Sequence, residues 1–355
     1  MKTSRPSVTQ VIRDVTQRIL DSLPPRWAGR VKTGLDIDEA QADLAVEVDT
    51  PTDEQILFAV EASRSLEPRQ AKGSANQARL LARRLGAIPV VASSYLSPRT
   101  RTILEENEVG YVDTTGNIRL ASTSPGLSIL MTGAERDPWP RDSGLQSLRG
   151  RGSSRAIRAI VDFTPPFGIR ELAAESGASA ASLSRVSNLL DRDALIQRDE
   201  RGSITTVDWD GVIRRWAQDY DQLRSNTPYR YLSPRGLDDI RNRLANAAIQ
   251  YAATGAFAAQ RFDPVAPART ATIYMQNPME VIEALDLRET DTGANVLLLE
   301  PFDSVVFDRT LDRDGFITVA PSQLAADLLT GPGREPSQGE GILVWMKENE
   351  SAWRT

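Results

Sequence analysis

The stretch that most restricts the fold lies mid-chain, where the spacing of apolar residues changes from helical to alternating within about sixty residues. Ser153–Phe163 carries Ile157, Ile160 and Val161 at helical spacing, and Pro165-Pro166 ends that run. Ile169–Ser176 forms a second short helix with Ile169, Leu172 and Ala173 on its inner side. Gly177 stands where a helix C-cap needs positive φ, and Ser179 can cap the helix that follows. That third helix, Ala180–Ala194, has one apolar stripe of Leu183, Val186, Leu190 and Ala194. Residues 194–198 then turn into a strand, Asp199-Glu200-Arg201-Gly202-Ser203 makes a hairpin tip, and Ile204–Val207 returns as its partner. The pattern predicts a helix-turn-helix followed by a two-stranded wing over 153–210.

The polar face of the third helix presents Ser182, Arg185 and Asn188. Those residue types suit the major groove: arginine pairs with guanine or phosphate, and asparagine with adenine. Small residues at the helix start, Ser179 to Ser182, allow close approach to a duplex. Arg198 and Arg201 fall on the wing, beside the phosphate backbone, and Arg155 follows Arg149 and Arg151 at the start of the first helix. The predicted DNA-binding set is therefore Ser179, Ser182, Arg185, Asn188, Arg198, Arg201 and Arg155. Asp191, Asp193, Asp199 and Glu200 lie close by and lower the expected non-specific affinity. The segment resembles the MarR-like bacterial winged helices, and the resemblance implies that its third helix reads DNA.

The 355 residues exceed one ordinary core, so the expected fold class is multidomain α/β. Four segments follow from the composition shifts: 1–132, a linker at 133–152 rich in Pro, Gly and charge, the winged helix at 153–210, and 211–355. In the first segment a helix from Val8 to Leu20 ends at Pro24-Pro25. Strands are expected at Ala42–Val48, Ile56–Ala62, Ile88–Ala92 and Gly110–Asp113, with helices at Ala71–Leu85 and Pro98–Asn107. After a helical stretch at Asp210–Leu223, the last segment predicts helices at Arg235–Ala253, Pro278–Ala284 and Pro321–Leu329. Its strands are expected at Ala271–Met275, Asn295–Glu300 and Ser304–Phe307, and a mobile tail at 331–341.

The chain has no cysteine and no histidine, which removes disulfides, Cys/His zinc sites and imidazole-based catalysis. No metal or cofactor is expected, and no enzyme activity. A net charge of -6 argues against a basic coat over the whole chain but leaves room for a local basic face. The N-terminus lacks a signal-peptide core and no apolar run has membrane length, so the expected location is cytoplasmic, with the nucleoid.

In the first segment, an acid on one strand and Glu-x-Ser on the next resemble the metal-binding core of restriction-endonuclease-like folds, where the second motif ends in lysine. The resemblance implies a degenerate site: Asp43 or Glu47 as first acid, Glu61 as second, and Ser63 in place of the lysine. An alternative reading keeps this site as a Mg²⁺-dependent nuclease guided by the wing. Another makes the domain a sensor of single-stranded or damaged DNA. For Asp113, Gly116 and Asn117 the favoured role is to hold a tight turn. Asp312 and Asp314 are expected in a polar turn rather than on a strand.

Pro89–Ser93, Tyr95–Arg99 and Gly110–Asn117, together with 254–259, 272–274 and 319–328, resemble AbiEi-family regulators of type IV toxin–antitoxin systems. The resemblance implies a sequence-specific regulator, antitoxin-like and autorepressing. It would bind a double-stranded operator as a homodimer, with a cognate toxin as a further partner and a sensing or dimerisation role for 211–355. A wing following a nuclease-like domain departs from the family's usual order, in which the winged helix comes first.

Overall fold

A computed structural model describes residues 4–37, 40–140, 144–247, 249–262, 268–290 and 292–355, with side chains 33–42 left aside. The chain is multidomain α/β and divides into two compact units, Met1–Ser143 with Arg192–Ala194, and Gly144–Asp191 with Leu195–Thr355.

The first unit is built on a seven-stranded sheet whose strands lie in chain order. Helix α1 (Val8–Ser22) precedes β1 (Ala28–Ile37), β2 (Ala40–Asp49) and β3 (Gln55–Ser63), an antiparallel meander. Helix α2 (Pro68–Leu85) leads to β4 (Ile88–Ser93), and α3 (Pro98–Glu106) to β5 (Gly110–Asp113). These crossovers make β3, β4 and β5 parallel. The hairpin β6 (Ile118–Thr123) and β7 (Gly126–Met131) closes the sheet. The period of two sorts the side chains. Leu44, Val46, Phe58, Val60, Val90, Ala92 and Val112 pack with Val11, Val15 and Ile19 of α1, whereas Val91 and Tyr111 face Ala75 and Ala78 of α2 and Leu104 of α3.

The second unit opens with α4 (Arg151–Asp162), α5 (Ile169–Ser176) and α6 (Ala180–Arg192), then the hairpin β8 (Ile196–Arg198) and β9 (Ile204–Val207). A bridge from Phe167 to Ile204 adds a third short chain to that hairpin. Next come α7 (Trp209–Ala217), α8 (Gln222–Ser225), β10 (Thr227–Leu232), α9 (Leu237–Asn246), β11 (Tyr251–Thr254), α10 (Gly255–Ala259) and β12 (Ala271–Met275). Helix α11 (Pro278–Leu285), β13 (Arg288–Glu289), β14 (Val296–Glu300), β15 (Leu311–Arg313), β16 (Phe316–Thr318), α12 (Pro321–Leu329) and α13 (Glu335–Glu348) complete it. The seven strands from β10 to β16 form one mixed sheet, ordered β13-β10-β14-β12-β11-β16-β15.

One apolar core runs through this unit, from Leu148, Ile157 and Leu190 to Ile273, Leu324, Met346 and Trp353, so the expected boundary at 210/211 separates no independent core. Buried polar bonds reinforce the join. Arg158 on α4 pairs with Asp162 at 2.8 Å and donates to the carbonyls of Val305 (3.0 Å) and Asp308 (2.8 Å). Ser322 donates to Asp162, and the Arg354 guanidinium to the Val161 carbonyl.

Three expectations for 211–355 are corrected. The helix expected at Arg235–Ala253 ends at Asn246, and Tyr251–Thr254 is a strand between β12 and β16, buried on both faces. An all-apolar run of that length reads equally well as helix or strand. Ser304–Phe307 is a 3-10 turn, not a strand. Most of the tail expected to be mobile is ordered, since α13 starts at Glu335 and buries Ile342, Leu343 and Met346. Gly339 makes this packing possible: a Cβ there would stand 3.0 Å from the Leu329 amide of α12.

Candidate nucleic-acid interface

The helix pair α5–α6 is set by local chemistry. Gly177 ends α5 at φ 67, where a side chain would be strained, and its amide donates to the Ala173 carbonyl. The Ser179 hydroxyl accepts the Ser182 amide at 3.1 Å and so caps α6. Leu183, Val186, Leu189 and Leu190 bury the inner stripe. The outer stripe exposes Ala181, Ser184, Arg185 and Asn188.

Two predicted contact residues do not belong to that stripe. Ser182 is 9% exposed; it receives a hydrogen bond from Ser179 and lies against Gly152, whose added Cβ would stand 2.6 Å from its hydroxyl. It serves the seam between α6 and the start of α4. Arg155 pairs with Asp303 at 2.9 Å and donates to Ser304 at 2.8 Å, so its charge is spent inside the unit. Ser182 looks like a surface residue in sequence because a small polar side chain at a helix-helix seam keeps the polar period, and Arg155 stands out by its place in an arginine run whose carboxylate partner lies far along the chain.

The others come together. Arg185 is exposed, its Nε donates to the Ala181 carbonyl at 3.3 Å, and among the described residues no carboxylate pairs with it. Asn188 receives a hydrogen bond at Oδ1 from the Arg198 guanidinium at 3.0 Å, which joins the wing to α6. Arg198 thus orients the asparagine, where the sequence suggested a phosphate contact. Arg201 is exposed at the hairpin tip, again with no carboxylate partner among the described residues. Asp199 is occupied by the turn: its Oδ1 accepts the amides of Arg201 and Ser203, both at 2.9 Å, and Gly202 takes φ 86. Ser184, Gln197, Thr205 and Thr206 also face outward. Ser184 was legible from its position one residue before Arg185. The threonines were hidden by a bulge at Gln197/Arg198 that shifts the strand register.

In the first unit, Asp43 and Glu61 lie on adjoining strands and come together. Asp43 accepts the Ala62 amide at 2.9 Å. Burial, then the charge of Asp43, pushes the Glu61 carboxyl above its usual range, and Glu61 Oε2 is buried without a hydrogen-bond partner among the described residues. Glu47 lies four residues further along β2 and pairs with Lys32 of β1 at 2.5 Å. Among the described residues Ser63 reaches only the Ala92 carbonyl, at 3.5 Å. Among the described residues no three acidic, histidine or cysteine groups gather as metal ligands.

Asp113 is fully buried and accepts hydrogen bonds from the amides of Leu96, Thr115 and Asn117 and from the Thr115 and Asn117 side chains. Asn117 in turn accepts from Arg101 and from the Gly133 amide. These residues hold the turn, as expected. Asp312, expected in a turn, lies instead on β15 opposite Ile317, because the hairpin pairing extends further than the polar sequence suggests; Asp314 is in the turn, and the Asp312 carboxylate accepts the Gly315 amide.

No family model matches this chain, and no curated protein or solved structure is significantly similar to it.

Proposed function

We propose that the protein is a sequence-specific, nucleoid-associated transcriptional regulator that reads duplex DNA with α6 and steadies it with the β8–β9 wing. The observation that carries this reading is the α6 face. Small residues (Ala181, Ser184) flank an unpaired arginine and an asparagine already oriented from the wing. Arg185 meets a guanine edge or a phosphate, Asn188 meets adenine, and Arg201 meets the backbone. A homodimer on an inverted repeat gives each half-site one α6. Asp43 and Glu61 stand together, but Ser63 offers a hydroxyl where hydrolysis in a nuclease of this kind uses an ammonium. The reading therefore assigns the first unit no cleavage chemistry.

Selection from a random duplex pool, followed by mobility shifts, tests this. A discrete sequence should be recovered. Arg185→Ala should lower affinity for it by roughly 10- to 100-fold and relax preference at one position, while Arg201→Ala weakens all sequences alike. Unchanged operator affinity in Arg185→Ala would overturn the assignment.

A further inference from the structure

The outer face of α2 is charged with one sign only. Over its 18 residues the helix carries Arg69, Lys72, Arg79, Arg83 and Arg84 and no acid, in a chain whose net charge is -6. The buried side is small and apolar: Ala71, Ala75, Ala78 and Ala82. Lys72, Asn76, Arg79 and Arg83 follow the i, i+4, i+7, i+11 spacing of a single stripe, about 16 Å long at the rise of an α-helix.

These cations are available. Arg69 pairs with Glu67 at 3.0 Å, but among the described residues no ion pair engages Lys72, Arg79, Arg83 or Arg84. Arginines do find carboxylates elsewhere in the chain: Arg30 in the first unit, and Arg155, Arg158, Arg214, Arg215, Arg243 and Arg354 in the second. Helix stability does not explain the stripe. Arg83 and Arg84 suit the negative end of the helix dipole, but Lys72 stands near its positive end, where the one carboxylate, the N-cap Glu67, is already paired with Arg69.

We infer that the α2 stripe is a second nucleic-acid surface, one that grips the phosphodiester backbone of DNA without reading its bases. A row of unpaired cations with amides between them (Asn76, Gln77) and no carboxylate matches a strand of regularly spaced phosphates. It extends the reading of the protein as a DNA binder yet uses none of the α6 or wing residues.

The test measures full-length protein binding to a non-operator duplex and to a single strand of equal length, across a salt series. Lys72→Gln/Arg79→Gln/Arg83→Gln is compared with wild type, both also carrying Arg185→Ala/Arg201→Ala to silence the wing. All three positions lie on the helix's outer side and glutamine is a good helix former, so the melting temperature should hold and serves as the folding check. The slope of log affinity against log salt should flatten by about 2.7 on the duplex and by about 2 on the single strand if each charge meets one phosphate. The arm whose flattening reaches its own expected value identifies the form of DNA held. An unchanged slope on both arms overturns the inference. So does binding to anionic phospholipid vesicles that the triple variant loses while DNA binding stays intact. Operator reading left unchanged by Arg185→Ala, with the α2-dependent slope retained, would sink the proposal for α6 and leave this one standing.

Discussion

At the scale of single residues, the most exacting group is Asp327, fully buried on α12. It accepts four hydrogen bonds: from Tyr220 (2.7 Å), Tyr274 (3.2 Å), Gln323 (2.9 Å) and Thr254 (2.6 Å). Burial pushes its carboxyl above the usual range, and the four donors only partly offset this. A folded-state pKa above the unfolded one means that the native state holds the proton longer. The stability tied to that proton is present at pH below about 4 and is lost as pH rises through the folded value. Asp327→Asn keeps an acceptor for the tyrosines and can donate to the Thr254 hydroxyl. Urea midpoints should therefore show the wild type losing stability relative to Asp327→Asn as pH rises from 4 towards 7. A constant difference across that range would contradict the burial argument. Asp327→Ala removes the acceptor altogether, strands buried donors, and should cost about 3 kcal/mol or more. Arg198 invites a second test at this scale, because it acts through Asn188. Arg198→Ala and Asn188→Ala should each weaken operator binding, and the double variant should lose less than their sum, with coupling of about 0.5–3 kcal/mol.

At the scale of elements, legibility followed the strength of the local pattern. Helices α2, α6 and α12 and strands β3, β4, β12 and β14 were readable because each has a clear period and turn residues at its ends. Strand β1 was not: Gly29, Arg30, Lys32 and Gly34 interrupt the alternation, and the strand is held by its register with β2. The β6–β7 hairpin was missed too, because it is short and its outer residues Leu130 and Met131 are exposed apolar ones that break the inside-outside pattern. Helix α13 was hidden by Gly331-Pro332-Gly333, which reads as the start of a loose end; its ordering comes from contacts with α12 that no local signal carries. This last element makes a sharp prediction. Met346, fully buried, should cost roughly 2–5 kcal/mol on truncation to alanine, whereas Val344, 57% exposed two residues away, should change stability by at most about 0.5 kcal/mol. Equal, small effects at both positions in urea titrations would mean that α13 is not docked.

At the scale of the whole molecule, the reading of the winged segment as a separate domain needs the most revision. Helix α4 is buried along Ala156, Ile157, Arg158, Ala159, Ile160, Val161 and Asp162, on every side rather than along one stripe. A helix buried all round belongs to the interior of something larger than a three-helix module. Its Arg158–Asp162 pair also depends on the Val305 and Asp308 carbonyls and on Ser322 from beyond residue 300. Cut at 153–210, the segment would expose that apolar surface and strip its ion pair of the Val305, Asp308 and Ser322 hydrogen-bond partners. The α6 face proposed to read DNA is thus carried by a scaffold that extends to Trp353, whose ring meets Trp209 edge-on at 5.2 Å. A fragment of residues 144–355 should fold, melt in one cooperative transition and retain the Arg185-dependent operator preference, while 153–210 alone should give no cooperative transition by circular dichroism. A well-folded, operator-binding 153–210 fragment would show that the shared core is dispensable. If α6 reads DNA as proposed, the same core makes the rest of the unit a lever on that binding: Met346→Ala, far from α6 in sequence, should lower the midpoint at which Arg185-dependent binding is lost to urea by the same amount that it lowers the unfolding midpoint.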